Sequence, residues 1–288
     1  MDTLINLKGS RKTANKLLKL GMITLVSMVL SGFLYGEEKG VVKQNLASDR
    51  NESVDKISKE LSNPVSSIYI FPFEYDYDSD IGPNYGKRST LTIEPVTPIN
   101  LGKDWKVIIR TVIPLIEQHD VLSKGSSQHG IGDIEQSYFF APQKSEGVIW
   151  GVGPIVSFPI GNDEFSINKW SVGPAAVAVV QKDKWTYGML AEQLWSVGGE
   201  GDRDVNESML QPFLAYHITG GWTISGNIDA SYDWVDDQWS IPLEAGVSKV
   251  VKIGGLVPVS IGLSPRYYIK RTDYDPRWGI KLMVAVVL

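Results

Sequence analysis

The 288-residue chain contains no cysteine. That excludes disulfide cross-links, zinc–thiolate and iron–sulfur centres and a cysteine nucleophile. Histidine is scarce too: His119, His129 and His217 are too few for a multi-histidine centre, and no metal site or cofactor is expected. Bases number 28 against 33 acids. A net charge of -5 argues against a nucleic-acid partner, which calls for a basic surface. Sustained helical patterning is missing as well, since no apolar run after Pro64 keeps a helical period for long.

What is present begins with an address. Lys8, Arg11, Lys12, Lys16 and Lys19 precede an uncharged apolar run from Leu20 to Tyr35, and Glu37 and Glu38 then restore polarity. Residues 1–36 have the shape of a secretory signal peptide. The run is short for a membrane-crossing helix of about 20 residues, which leaves a retained signal anchor as the alternative. Residues 37–62 form a polar linker and a short helix. Val54, Ile57 and Leu61 share one helical face between Ser53 and Leu61, and Asn63-Pro64 ends it. Such a helix is either a simple cap or a plug at a barrel mouth.

From Val65 onward the period is two. In 65–78 the odd positions run Val65, Ser67, Tyr69, Phe71, Phe73, Tyr75, Tyr77, while the even ones end in Glu74, Asp76 and Asp78. In 222–234 Trp222, Ile224, Ile228, Ala230, Tyr232 and Trp234 alternate with Thr223, Ser225, Asn227, Asp229, Ser231 and Asp233. About twelve such segments follow one another: 65–78, 88–99, 104–117, 131–142, 147–160, 169–181, 184–197, 205–218, 221–234, 238–251, 255–270 and 276–288. They are long enough for tilted transmembrane strands, which need about 9–11 residues in hydrocarbon. The expected fold is therefore an all-β, antiparallel up-and-down transmembrane barrel over 63–288, with no open edge exposed to lipid.

Tryptophan supports this independently. Trp105, Trp150, Trp170, Trp185, Trp222, Trp239 and Trp278 lie near segment starts, and Trp195 and Trp234 near segment ends. Amphipathic rings at both water boundaries make a membrane-interface girdle. Connections also alternate: mostly short at one end, mostly longer at the other, the pattern of periplasmic turns and outer loops. Trp278, Ile280, Leu282, Val284, Val286 and Leu288 carry one apolar face to the last residue, the type of ending read by the barrel-assembly machinery. The expected location is the outer membrane of a Gram-negative envelope, with its lipids as the first partner.

Several stretches resemble one family: NPVSSIYIFPFEYDYDSDIGP (63–83), GDIEQSYFFAP (132–142), IWGVGPIVSFP (149–159), KWSVGPAAVAV (169–179), WTYGMLAEQLWSV (185–197), LQPFLAY (210–216) and YDWVDDQWSIPLEAGVSKV (232–250). It is the outer-membrane transporter family labelled "MetA-pathway of phenol degradation". The resemblance spans about 63–288. It implies passage of small organic solutes, phenolic compounds among them, and brings no catalytic residues with it.

With the apolar faces turned to lipid, the opposite faces place Glu74, Asp76, Lys106, Arg110, Asp133, Glu135, Glu192, Asp229, Asp233, Glu244, Arg266, Lys270, Arg277 and Lys281 in the lumen. The first and twelfth strands would be neighbours, bringing Glu74 and Asp76 toward Arg277 and Lys281. These charges would either set a transverse field in a constriction or form an ion-pair network that fills the tube. An enzyme would need a Ser–His–acid arrangement. His119 and His129 fall in a connection with no nucleophile elbow nearby, so the chain reads as non-enzymatic. A channel for small organic solutes is the first expectation, a filled structural or adhesion barrel the second and an outer-membrane lipid-acting enzyme the third.

Overall fold

The computed structural model describes residues 53–254 and 257–288. The expected signal peptide and nearly all of the linker fall outside the described residues. Residues 53–61 form a helix, α1. Fifteen strands follow: β1 (Ile70–Ile81), β2 (Gly86–Ile93), β3 (Val96–Leu101), β4 (Trp105–His119), β5 (Ser127–Ile131), β6 (Ile134–Pro142), β7 (Val148–Phe158), β8 (Lys169–Lys182), β9 (Trp185–Gly199), β10 (Asn206–Ile218), β11 (Trp222–Ile228), β12 (Ala230–Asp233), β13 (Gln238–Ile253), β14 (Val257–Lys270) and β15 (Trp278–Val287).

These make twelve walls of one closed antiparallel barrel. Three walls are broken in two: β2 with β3, β5 with β6, and β11 with β12 all face the same long neighbours, β4 in the first two cases and β10 and β13 in the third. The ring closes where β1 pairs with β15, from Ile70↔Val287 to Ser79↔Trp278. Each break lies beside a proline of the adjacent strand. Glu94 donates its backbone N–H to the Pro72 carbonyl (3.0 Å), Gly132 to Pro114 (2.9 Å) and Asp229 to Pro242 (3.2 Å). Proline accepts but has no N–H to return, so the ladder loses one bond and the strand is interrupted there.

The first wall differs from the sequence expectation. It begins at Ile70 rather than Val65. Asn63 redirects the chain: its side-chain oxygen accepts from the Val65 N–H (3.1 Å) and its carbonyl from Ser66 N–H (3.0 Å). The alternation of 65–69 is real, but those residues lead into the wall rather than forming it, and Val65 is fully buried.

Closure gives the two faces different tasks. Leu214, Ile224, Val247, Leu263 and Ile280 stand exposed on the outside, as lipid-facing side chains must. All nine tryptophans are 38–56% exposed, in two bands. At the turn end Trp105 meets Trp150 edge-on at 6.0 Å and Trp185 meets Tyr216 at 4.7 Å. At the loop end Trp278 meets Tyr77, Trp170 meets Phe158, and Tyr232 lies between Trp234 and Trp239. This is the exterior of a membrane-crossing barrel, an apolar belt between aromatic bands.

The faces can be tested on β11. Ile228 belongs to the outward set with Trp222 and Ile224, whereas Asn227 donates to Asp229 within the inner set (3.0 Å). Ile228→Arg should cost roughly 2–4 kcal/mol near the bilayer midplane, and Asn227→Arg far less. Folding into liposomes from urea measures both. Equal costs would refute the assignment of faces.

Candidate functional site

The lumen has two layers. At the turn end, α1 and residues 62–69 sit within the mouth. The two glycines Gly220 and Gly221, in the turn between β10 and β11, both have positive φ, 89° and 78°. That conformation points two consecutive N–H groups at one spot. Asp55 Oδ1 accepts from both, at 2.9 and 2.7 Å. One turn further along α1, Ser58 Oγ lies 3.5 Å from His217 Nδ1, a long contact. His217 is fixed by Thr223 Oγ1 at 3.1 Å and Thr186 Oγ1 at 2.9 Å. Gln181 donates to the Lys59 carbonyl (2.8 Å). Lys106, an expected lumen charge, donates to the Val65 carbonyl (2.9 Å) and Ser67 Oγ (2.7 Å), and so anchors the N-terminal segment.

Apolar packing completes this layer. Val65 joins Ile108, Phe139, Ala141, Val177, Val179 and Leu190 in the buried core. A Cβ on Gly151 would come within 3.0 Å of both Val65 and Phe139, so the missing side chain there makes room for the inserted segment. Among the described residues, the main apolar core is thus built partly from the segment preceding β1.

The second layer is charged. Lys281 Nζ lies 3.0 Å from Glu74 Oε2 and 3.3 Å from Glu244 Oε2. Arg266 Nη2 lies 2.9 Å from Asp76 Oδ1 and 2.8 Å from Asp78 Oδ1. Arg110 Nε holds Glu94 Oε1 at 2.6 Å. These pairs join β1, β13, β14 and β15 on one side, and the β2–β3 break with β4 on the other. Lys281 lies directly across from Asp76 in the β1–β15 register, yet its long side chain reaches Glu74 and Glu244, leaving Asp76 to Arg266. Arg266 Nε, Asp76 Oδ1 and Glu244 Oε2 are buried without a hydrogen bond, although the latter two lie at ion-pair distance.

The facing wall is acidic. Glu192 accepts from Ser137 Oγ at 3.0 Å. Glu135 on β6 and Glu207 on β10 flank it, and none of the three forms a direct ion pair among the described residues. Asp229 accepts from Gln211 and Asn227.

Four expected lumen residues lie at the loop end instead. Asp133 accepts from the backbone N–H groups of Gly161 (3.1 Å) and Ile167 (3.2 Å), tying down the loop between β7 and β8. Asp233 pairs with Arg203, which also bonds Asp236 at 2.6 Å. Desolvation pulls the Arg203 pKa down, but hydrogen bonds with Asp236 and Asp233 outweigh it and hold the guanidinium above its ordinary value. Lys270 and Arg277 are exposed where β14 ends and β15 begins. Their alternation is inward, but the tube stops before their charges are enclosed. Sequence reasoning singled out neither Glu207 nor Ser137, although both occupy inward positions of the same alternation.

No family model and no curated protein sequence matches this chain. Solved structures do. The COG4313 outer membrane channel from Pseudomonas putida F1 superposes with a TM-score of 0.60 at 14% identity, over 77% of this chain and 96% of that one. The NanC porin follows at 0.46 and 11%, over 76% and 98%. The β domain of the Bordetella autotransporter BrkA reaches 0.43 at 9%, over 77% and 100%. The chain therefore has the fold of a twelve-stranded outer-membrane β-barrel, shared over 77% of its length with the first of these structures.

Proposed function

We propose that the protein is a passive outer-membrane channel for small organic solutes, with phenolic compounds as the first class to try. The observation that carries this reading is the charged layer. Acids outnumber bases there, and Glu135, Glu192 and Glu207 line the lumen with no ion-pair partner among the described residues. A barrel filled only for stability would pair such acids with bases, because an uncompensated buried charge is costly. Water or a passing polar group can satisfy them. The resemblance of the strand sequences to a transporter family supports the solute class, and the apolar end of β15 supports delivery by the barrel-assembly machinery.

The layer also sets an ion preference. Arg110, Arg266 and Lys281 are shared among five carboxylates, and Glu135, Glu192 and Glu207 add acids with no cation partner among the described residues, so acids are in excess. Charge in a low-dielectric tube acts more strongly than on an open surface. Reversal potentials in a KCl gradient should show cation preference, reduced when these three glutamates are replaced by glutamine. The channel reading is overturned if neither the full chain nor a plug-deleted form conducts in planar bilayers or swells liposomes with small solutes. A filled structural barrel, favoured by the occupied mouth, would then be the better account.

A further inference from the structure

Outside the lumen, the loop end of the third and fourth walls brings three side chains into line. Ser127 on β5 and His119 on β4 are directly opposed in register, and Ser127 Oγ lies 2.6 Å from His119 Nδ1. His119 Nε2 lies 3.4 Å from Glu117 Oε1, two residues back on the same face. We infer that Ser127, His119 and Glu117 form a serine-esterase site on the outer wall, acting on carboxylic esters of anionic membrane lipids.

The chemistry follows from the order of atoms. With the proton on Nε2 directed at Glu117, Nδ1 is free to accept the Ser127 hydroxyl proton. Oγ bonds the ester carbonyl carbon, and the proton moves to Nδ1. Glu117 balances the imidazolium so formed. Collapse breaks the bond to the alcohol, which leaves with the proton from Nδ1. Water then attacks the acyl-serine by the same relay, releasing the fatty acid and restoring Ser127. Glu117 acts through His119 and is a positioning residue.

An oxyanion donor is available. Asp120 N–H donates to the Ser126 carbonyl, and Ile131 exchanges bonds with Asn162 on the side away from β4. By alternation the Ser127 N–H also points away from β4, and among the described residues β5 pairs with no other strand. A backbone N–H beside the nucleophile can hold the developing oxyanion. The frame is rigid. The loop between β4 and β5 is braced by Gly125 N–H on Asp120 Oδ1 and by Ser126 Oγ on the Ser123 carbonyl (2.6 Å), and its Val121 is buried against Gly86.

Placement selects the substrate. One step toward the bilayer, Leu115 and Ile131 are paired on the same outer face. The triad thus sits where apolar wall gives way to water, the depth of an acyl ester bond in a lipid. Lys87, opposite His119 on β2, adds an exposed cation for an anionic headgroup. His119 is 52% exposed and Glu117 39%, so a lipid can reach the site from the membrane. The inference does not depend on whether the lumen conducts.

The test uses the full-length barrel in detergent micelles and in phosphatidylglycerol vesicles, with heat-modifiable gel migration reporting the fold of every variant. A fluorophosphonate probe should label Ser127, located by peptide mass spectrometry. Fatty acid should be released from phosphatidylglycerol, and Ser127→Ala and His119→Asn should each lower release roughly a hundredfold or more. Glu117→Gln should lower kcat with KM unchanged, because the carboxylate acts through His119 and does not touch the lipid. The inference is overturned if the folded protein neither takes the label nor releases fatty acid. It is equally overturned if release persists in folded Ser127→Ala, or if Ser127 is labelled without any turnover.

Discussion

A chain lacking residues 37–68 should carry several times the current of the full-length protein per barrel, and one lacking only 37–62 should show a smaller increase. The first deletion removes both α1 and the Val65 segment, and the second leaves Val65 among Phe139, Ile108 and Ala141. Point changes should grade the effect. Asp55→Asn weakens two charge-assisted bonds to the Gly220 and Gly221 N–H groups. Hydrogen bonds to charged groups are worth about 1.5–3 kcal/mol each. A loss within that range for the pair together would raise the plug-free fraction roughly ten- to a hundredfold. Single-channel recording should show this as more frequent or longer openings at unchanged full conductance. Identical current from full-length and 37–68-deleted barrels would mean that the inserted segment does not limit flow.

Lys281→Met should be the most destabilising single change in the charged layer. Lys281 serves two carboxylates, Glu74 and Glu244, whose side chains are 21% and 9% exposed. Removing one partner from a buried ionic group leaves the other charges uncompensated, at a cost of about 3–5 kcal/mol. Urea unfolding midpoints in liposomes measure the loss. Adding Glu74→Gln and Glu244→Gln to Lys281→Met should recover much of it, because the charges left unpaired are then removed. A triple variant no more stable than Lys281→Met would show that the ammonium acts through packing rather than charge.

The strand pattern and the loop-end contacts were legible to different degrees. Twelve spans could be read from the chain because alternation is a local signal repeated many times. Each strand must alternate faces on its own, and each must meet lipid–water boundaries at both ends, so an error in one segment leaves the others intact. Ile228, Trp222 and Trp278 take the side that the alternation assigns.

The start of the first wall, the seat of α1 and the choice of partners inside the tube were not local. Val65 continues the alternation of Phe71 and Phe73, and only the Asn63 turn and the fit beside Gly151 take it into the interior. Opposition across a ladder placed Lys281 level with Asp76, but side-chain reach around a closed ring gave it Glu74 and Glu244 and gave Asp76 to Arg266. Likewise His119 and Ser127 are separated by a connection, and only the β4–β5 register brings their atoms to hydrogen-bond distance. Within the strands, alternation by itself determined which face a residue takes. Partner choice waited on closure of the barrel, because a charge or a hydroxyl finds its partner by distance in space, and closure brings together residues far apart in the chain.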